Sequence, residues 1–220
     1  SYGVAQPVFA KTEEDQERQK RIFRKLLRFT AFVCFPAMFG LALTSKEFIV
    51  ILLTEKWLAS AQLLQILCIA GAFLPLSTLF SNLLISRGHS TVYMWCSIAL
   101  CVAQLLAVYF SAPYGIGMMI SVSVIIQIGW LFVWFYFARQ EIALRLTEVV
   151  SDISPYLALT LALIAAAYLL TSNITNLYIS FAVKVLFVGL SYCLVLWLLK
   201  STIFLEAISF FFRNKRQIKK

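Results

Sequence analysis

Long stretches without a charged residue dominate the order of polar and apolar positions along the chain. They run over residues 29–45, 57–86, 90–138 and 153–183. A helix needs about 20 mainly apolar residues to cross the hydrocarbon core of a bilayer, so the longest stretch holds two spans, separated near Pro113 and Gly115. The pattern predicts an all-α fold, a polytopic transmembrane helix bundle of about six spans, at residues 29–45, 61–85, 91–111, 116–138, 153–171 and 178–199.

The composition favours lipid as the solvent of this fold. Hydrophobic residues make up 61% of the 220 residues and charged residues 13%, whereas soluble domains carry about a quarter charged residues. The chain begins at a serine, and residues 1–10 lack the basic and apolar regions of a signal peptide. We therefore expect the chain to be a segment of a longer protein.

Basic residues alternate between the predicted connections and set the expected orientation. Seven lie in residues 11–28 and six in residues 200–220, and one side of the bundle also receives Arg87, Arg139 and Arg145. The connections on the other side hold only two lysines, each next to a glutamate. Because lysine and arginine concentrate on the cytoplasmic side of membrane proteins, both ends of the segment are predicted to be cytoplasmic. The net charge of +9 is thus a topology and lipid-contact signal, and no nucleic-acid partner is expected.

The spans and charges divide the chain into five predicted parts. These are the end of a truncated span with a cytoplasmic charged helix (1–28), four spans (29–138), a cytoplasmic connection (139–152), two trailing spans (153–199) and a basic interfacial tail (200–220).

No arrangement of residues indicates catalysis, a metal or a cofactor. The single histidine, His89, lies in a short inner turn with no acidic residue close to it in sequence. The five cysteines all lie in apolar stretches, and none has metal-ligand spacing. We expect a protein that is not an enzyme and that needs no cofactor.

Three residues inside the predicted spans are candidates for function. Lys184 is the only charged residue within a span, and it either extends its side chain to the outer surface or faces a water-filled cavity. Pro36 and Pro75 lie inside spans. Because proline removes a helix hydrogen bond and bends the helix, both are predicted helix kinks.

The order of local patterns resembles Wzx-type polysaccharide and O-antigen exporters, which belong to the multidrug/oligosaccharidyl-lipid/polysaccharide flippase superfamily. The resemblance covers about residues 5–140, and the last two spans match in hydropathy alone. It is carried by Pro7–Lys11, the charged segment ending in Arg24–Arg28, Pro36 with Gly40, Phe48–Trp57, Leu63–Leu67, Leu84–Gly88 and Tyr114–Gly117. The chain departs from the pattern at Thr54, where glycine is common, and this is expected to relax an outer turn.

The resemblance implies a transporter in the cytoplasmic membrane of a bacterium. Such proteins flip polyprenyl-diphosphate-linked oligosaccharides by alternating access between two lobes. This chain would be most of the C-terminal lobe, and its partners would be membrane lipid, the lipid-linked oligosaccharide and the missing N-terminal lobe. Arg28 and Arg87, at predicted inner helix ends, are candidates for headgroup contact or gating, or else anchors of the topology.

Three other functions stay open at this level. A cation-coupled multidrug exporter of the same superfamily usually depends on acidic residues inside the membrane, and none lies between the predicted span boundaries. A membrane glycan polymerase or ligase would need a large outer loop, and the predicted outer connections are short. A membrane scaffold without transport activity is the third alternative.

Overall fold

The computed structural model describes the backbone of residues 5–171 and 176–198, with side chains described from residue 16 to 171 and from 176 to 196. The predicted basic tail, residues 200–220, and residues 172–175 of the last predicted outer connection lie outside the described residues. The described chain forms the α-helices α1 (Ala5–Leu43), α2 (Ser45–Leu53), α3 (Leu58–Ser86), α4 (Ser90–Ser111), α5 (Ile116–Ile142), α6 (Leu146–Thr171) and α7 (Leu177–Leu198).

Among the described residues, six helical segments are long and apolar enough to cross a membrane, which confirms the predicted all-α bundle. They are Gln16–Leu43, Glu55–Ser86, Ser90–Tyr114, Ile116–Ile142, Leu146–Thr171 and Leu177–Leu196. A bilayer core offers no water to unpaired backbone groups, and a helix pairs nearly all of them within itself. Helices are therefore the element that these apolar stretches form.

Three helices extend further into the charged segments than the sequence pattern predicts. The charged helix and the first span, predicted as separate parts, form the single helix α1 (Ala5–Leu43). The predicted connection 139–152 is mostly helical, because α5 continues to Ile142 and α6 begins at Leu146. The turn between them contains Ala143 in the left-handed conformation, with a φ of 48°.

Helices α1 and α3 form the centre of the bundle. α1 packs against α3, α5, α6 and α7, α3 packs against α5, and α4 lies mainly against α5. Side chains four residues apart lie on one face of a helix, and each central helix buries one such row. The rows are Phe23, Leu27, Ala31 and Phe35 on α1, and Ala72, Leu76, Phe80 and Leu84 on α3.

Aromatic rings and a glycine join these two rows. The ring centroids of Phe23 and Phe80 are 5.1 Å apart, and those of Phe35 and Phe73 are 5.7 Å apart. A Cβ atom at Gly71 of α3 would meet the flexible end of the Met38 side chain of α1, so Met38 packs directly over this glycine. Close van der Waals packing of this kind holds helices together in lipid, where the surroundings are as apolar as the side chains.

The outer turn at Thr54 is not relaxed, contrary to the expectation from the sequence. Thr54 has a φ of 90° and a ψ of 163°, almost the same as Gly115 with a φ of 92° and a ψ of 169°. A positive φ is unfavourable for a β-branched residue and easy for glycine. The turn has kept its glycine-like backbone although the residue has a side chain.

Candidate functional site

Polar side chains connect α1 and α2 with α6 and α7 at three levels of the bundle. We call α1 and α2 together the first arm, and α6 and α7 together the hairpin. Named by the orientation that the basic residues predict, the inner level is a charge cluster, the middle level is a hydrogen bond beside Pro36, and the outer level is an ion pair. Each level joins residues more than 120 positions apart in sequence.

The inner charge cluster joins three basic residues of α1 to two acidic residues of α6. Lys20, Arg24 and Arg28 are spaced by four and share one face of α1, and Glu148 and Asp152 do the same on α6. The Lys20 Nζ atom lies 2.9 Å from a Glu148 carboxylate oxygen. The cluster therefore fixes the inner ends of the two helices in one register.

Asp152 is the centre of this cluster. Arg24 donates to both carboxylate oxygens, with its Nε atom 2.6 Å from Oδ2 and its Nη2 atom 3.0 Å from Oδ1. The Arg28 Nε atom donates to Oδ1 at 2.7 Å. The Asp152 side chain is 4% exposed, whereas that of Arg28 is 38% exposed. Arg28, a residue predicted for headgroup contact or gating, therefore combines a buried anionic partner with an accessible side chain.

The outer ion pair joins Glu47 of α2 to Lys184 of α7. The Lys184 Nζ atom contacts the Glu47 Oε1 atom, which also accepts a hydrogen bond from the Ser180 hydroxyl at 3.0 Å. The Lys184 and Glu47 side chains are 12% and 9% exposed. The sequence predicts that the Lys184 side chain either reaches the outer surface or faces a cavity. In the structure it pairs with an acidic residue and also borders a groove.

The middle level is a hydrogen bond to the carbonyl that Pro36 leaves without its helical partner. Proline has no N–H group, so Pro36 cannot donate to the carbonyl oxygen of Phe32, four residues earlier. The hydroxyl of Tyr192, on α7, donates to that oxygen at 2.9 Å. Tyr192 is 5% exposed, and its ring centroid lies 5.9 Å from that of Phe32.

An apolar groove of about 540 Å³ lies between α1 and α7 beside this bond. Lys184 and Tyr192 border it, and glycines widen it on both sides. A Cβ atom at Gly40 or at Gly189 would meet no atom within 4 Å. The two helices are thus separated by open space over the part of α1 that follows Pro36.

The other predicted inner arginine, Arg87, belongs to a different contact. Its Nη2 atom donates to the backbone oxygen of Glu141 at 3.3 Å, and the His89 Nε2 atom lies 3.0 Å from the Glu141 carboxylate. The Arg87 Nε atom is buried and has no hydrogen-bond partner among the described residues. Arg87 and His89 therefore attach the turn between α3 and α4 to the end of α5, away from Arg28 and Lys184.

Pro75 is the second predicted kink, and it lies inside α3 between buried residues. Helix α3 runs without interruption from Leu58 to Ser86. Helix α1 likewise continues through Pro36. A third helix-internal proline, Pro155 of α6, was not singled out from the sequence.

Two neutral side chains form a polar contact on the far side of the bundle. The Gln104 Nε2 atom of α4 donates to the Gln127 Oε1 atom of α5 at 2.8 Å. This fits the hydrogen bonds that commonly join helices in membranes. Among the described residues, no group of three or more histidine, cysteine, aspartate or glutamate side chains could hold a metal ion.

The sequence pattern missed several residues of these contacts. Asp152 lies one residue before the predicted fifth span, Glu47 was counted with its basic neighbour, and Glu141 lies more than 50 residues from His89. Nothing in the sequence distinguishes Tyr192 from other aromatic residues of apolar helices. The spacing of Glu148 and Asp152 by four, matching that of the α1 basic residues, was a usable signal for the inner cluster.

The chain is similar to membrane proteins of bacterial polysaccharide biosynthesis. Residues 2–62 match a family model described as polysaccharide biosynthesis protein. Over 109 residues, half of this chain, it is 30% identical to an uncharacterized membrane protein in the cps region of Klebsiella pneumoniae and covers 22% of it.

Two further relatives point in the same direction. The lipopolysaccharide biosynthesis protein WzxC of Escherichia coli is 32% identical over 83 residues, which are 38% of this chain and 17% of WzxC. The teichuronic acid biosynthesis protein TuaB of Bacillus subtilis is 31% identical over 93 residues, which are 42% of this chain and 19% of TuaB. The matched part thus spans about a fifth of the length of these curated relatives.

No solved structure matches the chain. The matches to relatives and the six apolar helices together identify a multi-pass bacterial membrane protein. The resemblance to Wzx-type polysaccharide exporters that the sequence patterns indicated is confirmed.

Proposed function

We propose that the protein carrying this chain flips polyprenyl-diphosphate-linked oligosaccharides across the bacterial cytoplasmic membrane, and that it is a transporter without enzymatic activity. The observation that carries the proposal is the match of residues 2–62 to polysaccharide biosynthesis proteins. That segment holds α1, α2, Arg28, Pro36 and Glu47. It thus contains the first-arm side of all three levels of contact with the hairpin.

In this proposal the chain supplies helices of a C-terminal lobe, which works against an N-terminal lobe by alternating access. The basic inner connections face the cytoplasm, in agreement with the distribution of lysine and arginine. Residues 29–138 form the four spans of the transport lobe, and residues 153–199 form two trailing spans attached to them. The hydrogen bonds and ion pairs between α1 and α6 support this attachment.

Arg28 is the residue of this chain that we assign to the diphosphate of the substrate. Guanidinium groups bind phosphate oxygens through paired hydrogen bonds. Of the two arginines that hold Asp152, Arg28 has the more exposed side chain. Arg24 donates to Asp152 through two nitrogens. Asp152 would therefore keep a partner while Arg28 exchanged it for phosphate.

A test uses the complete protein in liposomes with a fluorescent polyprenyl-diphosphate oligosaccharide. Appearance of the glycan on the opposite leaflet, measured with a glycan-cleaving enzyme added outside, is expected only with protein present. We expect Arg28→Gln to slow this appearance by roughly tenfold, since hydrogen bonds to charged groups contribute about 1.5–3 kcal/mol.

The matched control is Arg139→Gln, which removes an exposed arginine near the end of α5 and should leave the rate unchanged. Absence of protein-dependent flipping would contradict the proposed function. Equal slowing by both substitutions would contradict the role assigned to Arg28 but would leave the proposed flipping activity in place.

A cation-coupled drug exporter is the second candidate, and one finding bears on it. The sequence argument placed no acidic residue within a span, but Asp152 lies in the membrane-length helix Leu146–Thr171. Asp152 and Glu47 are both buried and both paired with basic side chains, so a cation would first have to displace an arginine or a lysine. Efflux of cationic dyes by the same liposomes, without glycan flipping, would favour this alternative.

A further inference from the structure

Gln104 of α4 and Gln127 of α5 place a pair of amide groups near the middle of the membrane. Gln104 lies ten residues from the Tyr114 end of the span Ser90–Tyr114, and Gln127 lies eleven residues from the Ile116 end of Ile116–Ile142. At a rise of about 1.5 Å per residue, both lie about 15 Å from those ends, close to the midplane of a core about 30 Å thick. Lipid tails offer no hydrogen bonds at this depth, so the partners of the pair come from protein, water or a ligand.

The bond between the two amides leaves most of their hydrogen-bonding groups unused. The Gln104 Nε2 atom donates to the Gln127 Oε1 atom at 2.8 Å. Two glutamine amides carry four N–H donors and two carbonyl oxygens, so three N–H groups and the Gln104 Oε1 atom have no partner among the described residues. Both side chains are partly exposed. Joining α4 to α5 therefore accounts for one hydrogen bond of the pair and not for its remaining donors.

Both amide side chains border a cleft of about 370 Å³ between α3, α4 and α5. Its walls are otherwise mainly apolar and include Leu67 and Leu74 of α3, Val108 of α4 and Ile120 of α5. Among the described residues that border it, none is charged. The volume lies in the range of small-ligand sites, about 300–1,000 Å³, which combine apolar walls with a few convergent polar groups. The cleft thus has the composition of a site for a neutral ligand.

The chemistry of the pair favours hydroxyl groups. A hydroxyl group both donates and accepts, so it matches amides that offer N–H donors beside a carbonyl oxygen. A diphosphate would need basic side chains. An acyl or prenyl chain would leave the amides without hydrogen bonds, which is unfavourable in an apolar environment. Sugar rings carry hydroxyl groups around an apolar face of C–H groups, and they therefore match both the amides and the apolar walls.

We propose that Gln104 and Gln127 form a hydroxyl-binding site for the glycan, and that the cleft between α3, α4 and α5 holds a sugar residue while the lipid-linked oligosaccharide crosses the membrane. The inference rests on the proposed function, in which Arg28 contacts the diphosphate, and it assigns the neutral glycan to a second place in the chain. Transporters commonly bind their substrates near the bilayer midplane, which is the depth of this pair.

The test measures access to the cleft and its protection by the glycan. Ser123 of α5 borders the cleft and donates its hydroxyl to the Met119 carbonyl oxygen at 2.8 Å. Ser123→Cys is introduced into a cysteine-free form of the complete protein in lipid nanodiscs, and its reaction with a water-soluble methanethiosulfonate reagent is timed. Because the thiolate is the reacting form, the reaction requires water in the cleft.

We expect the Ser123→Cys variant to react, and the lipid-linked oligosaccharide to protect it. At about ten times the half-protecting content of this lipid, mass action should slow the reaction roughly tenfold. Bare polyprenyl diphosphate, which has the same lipid and phosphates but no sugar, should leave the rate unchanged. This comparison separates the glycan from the rest of the substrate.

Ser121→Cys is the matched control for position. Ser121 lies on the same helix and likewise donates to the carbonyl oxygen four residues earlier, that of Gly117, at 2.7 Å. It does not border the cleft. Any reaction of the Ser121→Cys variant should therefore proceed at the same rate with and without the lipid-linked oligosaccharide.

Replacing both glutamines by methionine removes the amides and keeps unbranched side chains of similar length. In the Ser123→Cys background, Gln104→Met with Gln127→Met should raise the half-protecting content roughly tenfold, the effect of losing about two neutral hydrogen bonds. An unchanged reaction rate without oligosaccharide shows that the fold is kept. Gln65→Met is the control, because Gln65 also joins two helices, through its bond to the Ala42 carbonyl oxygen at 3.4 Å, but does not border the cleft. It should leave the protection unchanged.

The proposal is overturned by an unreactive Ser123→Cys variant, since the cleft would then be filled by lipid or by another helix. Equal protection by bare polyprenyl diphosphate, or protection that survives the loss of both amides, would also overturn it. The readout is binding, so protection without glycan flipping would contradict the proposed function and leave this site in place. Flipping without protection would contradict the site and leave the proposed function in place.

Discussion

Among single residues, Thr54 and Gly115 form a natural comparison. Both lie next to a short turn between helices and have nearly the same backbone angles, φ 90° and ψ 163° against φ 92° and ψ 169°. Only one of them is a residue that adopts this conformation without steric cost. The turn at Thr54 therefore persists with threonine in place, and the Thr54 backbone is held in a conformation that favours glycine.

We therefore expect Thr54→Gly to stabilise the protein. Residues held in such backbone regions cost about 1–3 kcal/mol, so the free energy of unfolding should rise by about 1 kcal/mol or more. Denaturant unfolding in mixed micelles measures this change. Gly115→Thr is the reverse control and should lower the stability by a similar amount; a loss from Thr54→Gly would show that the threonine side chain compensates its own strain.

Asp152 is the residue on which the inner charge cluster depends. Asp152→Asn leaves Arg24 and Arg28 with no carboxylate at their shared position, and breaking one side of a buried ion pair costs about 3–5 kcal/mol. Because Arg28 is partly exposed, we expect the lower end of that range, measured by thermal unfolding.

Glu148→Gln is the control for this change, since its side chain is more exposed than that of Asp152. An accessible ion pair contributes about 0–1 kcal/mol, so this variant should lose far less. Equal losses from the two variants would contradict the central position given to Asp152.

At the scale of elements, α2 and α7 are held together by the pair of Glu47 and Lys184. Glu47→Lys places two like charges at a nearly enclosed site, and Lys184→Glu does the same with two acids, so each single variant should be poorly folded. The double variant, with the charges exchanged, should recover most of the folded yield, because it restores an ion pair between the same helices.

Size-exclusion chromatography of the purified variants measures this recovery. Ser180 donates to Glu47 in the native protein and would face lysine in the exchanged pair, so recovery should be incomplete. If the double variant folded no better than the single ones, the attraction between residues 47 and 184 would not be what joins α2 to α7.

At the scale of the whole molecule, the hairpin and the first arm are connected near both ends and in the middle. The inner cluster, the Tyr192 hydroxyl and the outer ion pair lie on successive levels of α1 and α2. Such an arrangement favours a hairpin that moves with α1 over one that drifts separately in the lipid. The sequence pattern assigned no role to the two trailing spans. In the structure they contact α1 on the inner side of Pro36 and beside Pro36 itself.

The orientation of the molecule is the prediction that belongs to this scale. Single cysteines at Tyr114 and at Ser90, in a cysteine-free background, report opposite ends of α4. We expect a membrane-impermeant thiol reagent added outside intact cells to label position 114 and not position 90, because the basic connections are assigned to the cytoplasm. The reverse labelling pattern would invert the proposed topology.

The number of spans, their helical state and the resemblance to Wzx-type polysaccharide exporters were all accessible from the amino-acid sequence. Crossing a bilayer depends on the apolar character of about 20 consecutive residues, and backbone hydrogen bonds in lipid must be made within the same segment. Both requirements are local, so a local pattern reveals them. The helix ends were less predictable, because charged residues such as Glu148 and Asp152 extend α6 when partners on α1 neutralise them.

Only the tertiary structure decided what the polar residues inside these helices do. Lys184 finds Glu47 across 137 positions, Arg28 finds Asp152 across 124, and Tyr192 finds the carbonyl released by Pro36 across 160. No periodicity along the chain encodes such pairs, since they depend on which helices are neighbours and in what register they pack. A proline in an apolar segment predicts a missing hydrogen bond, but the residue that replaces it is determined by the packing of α7 on α1.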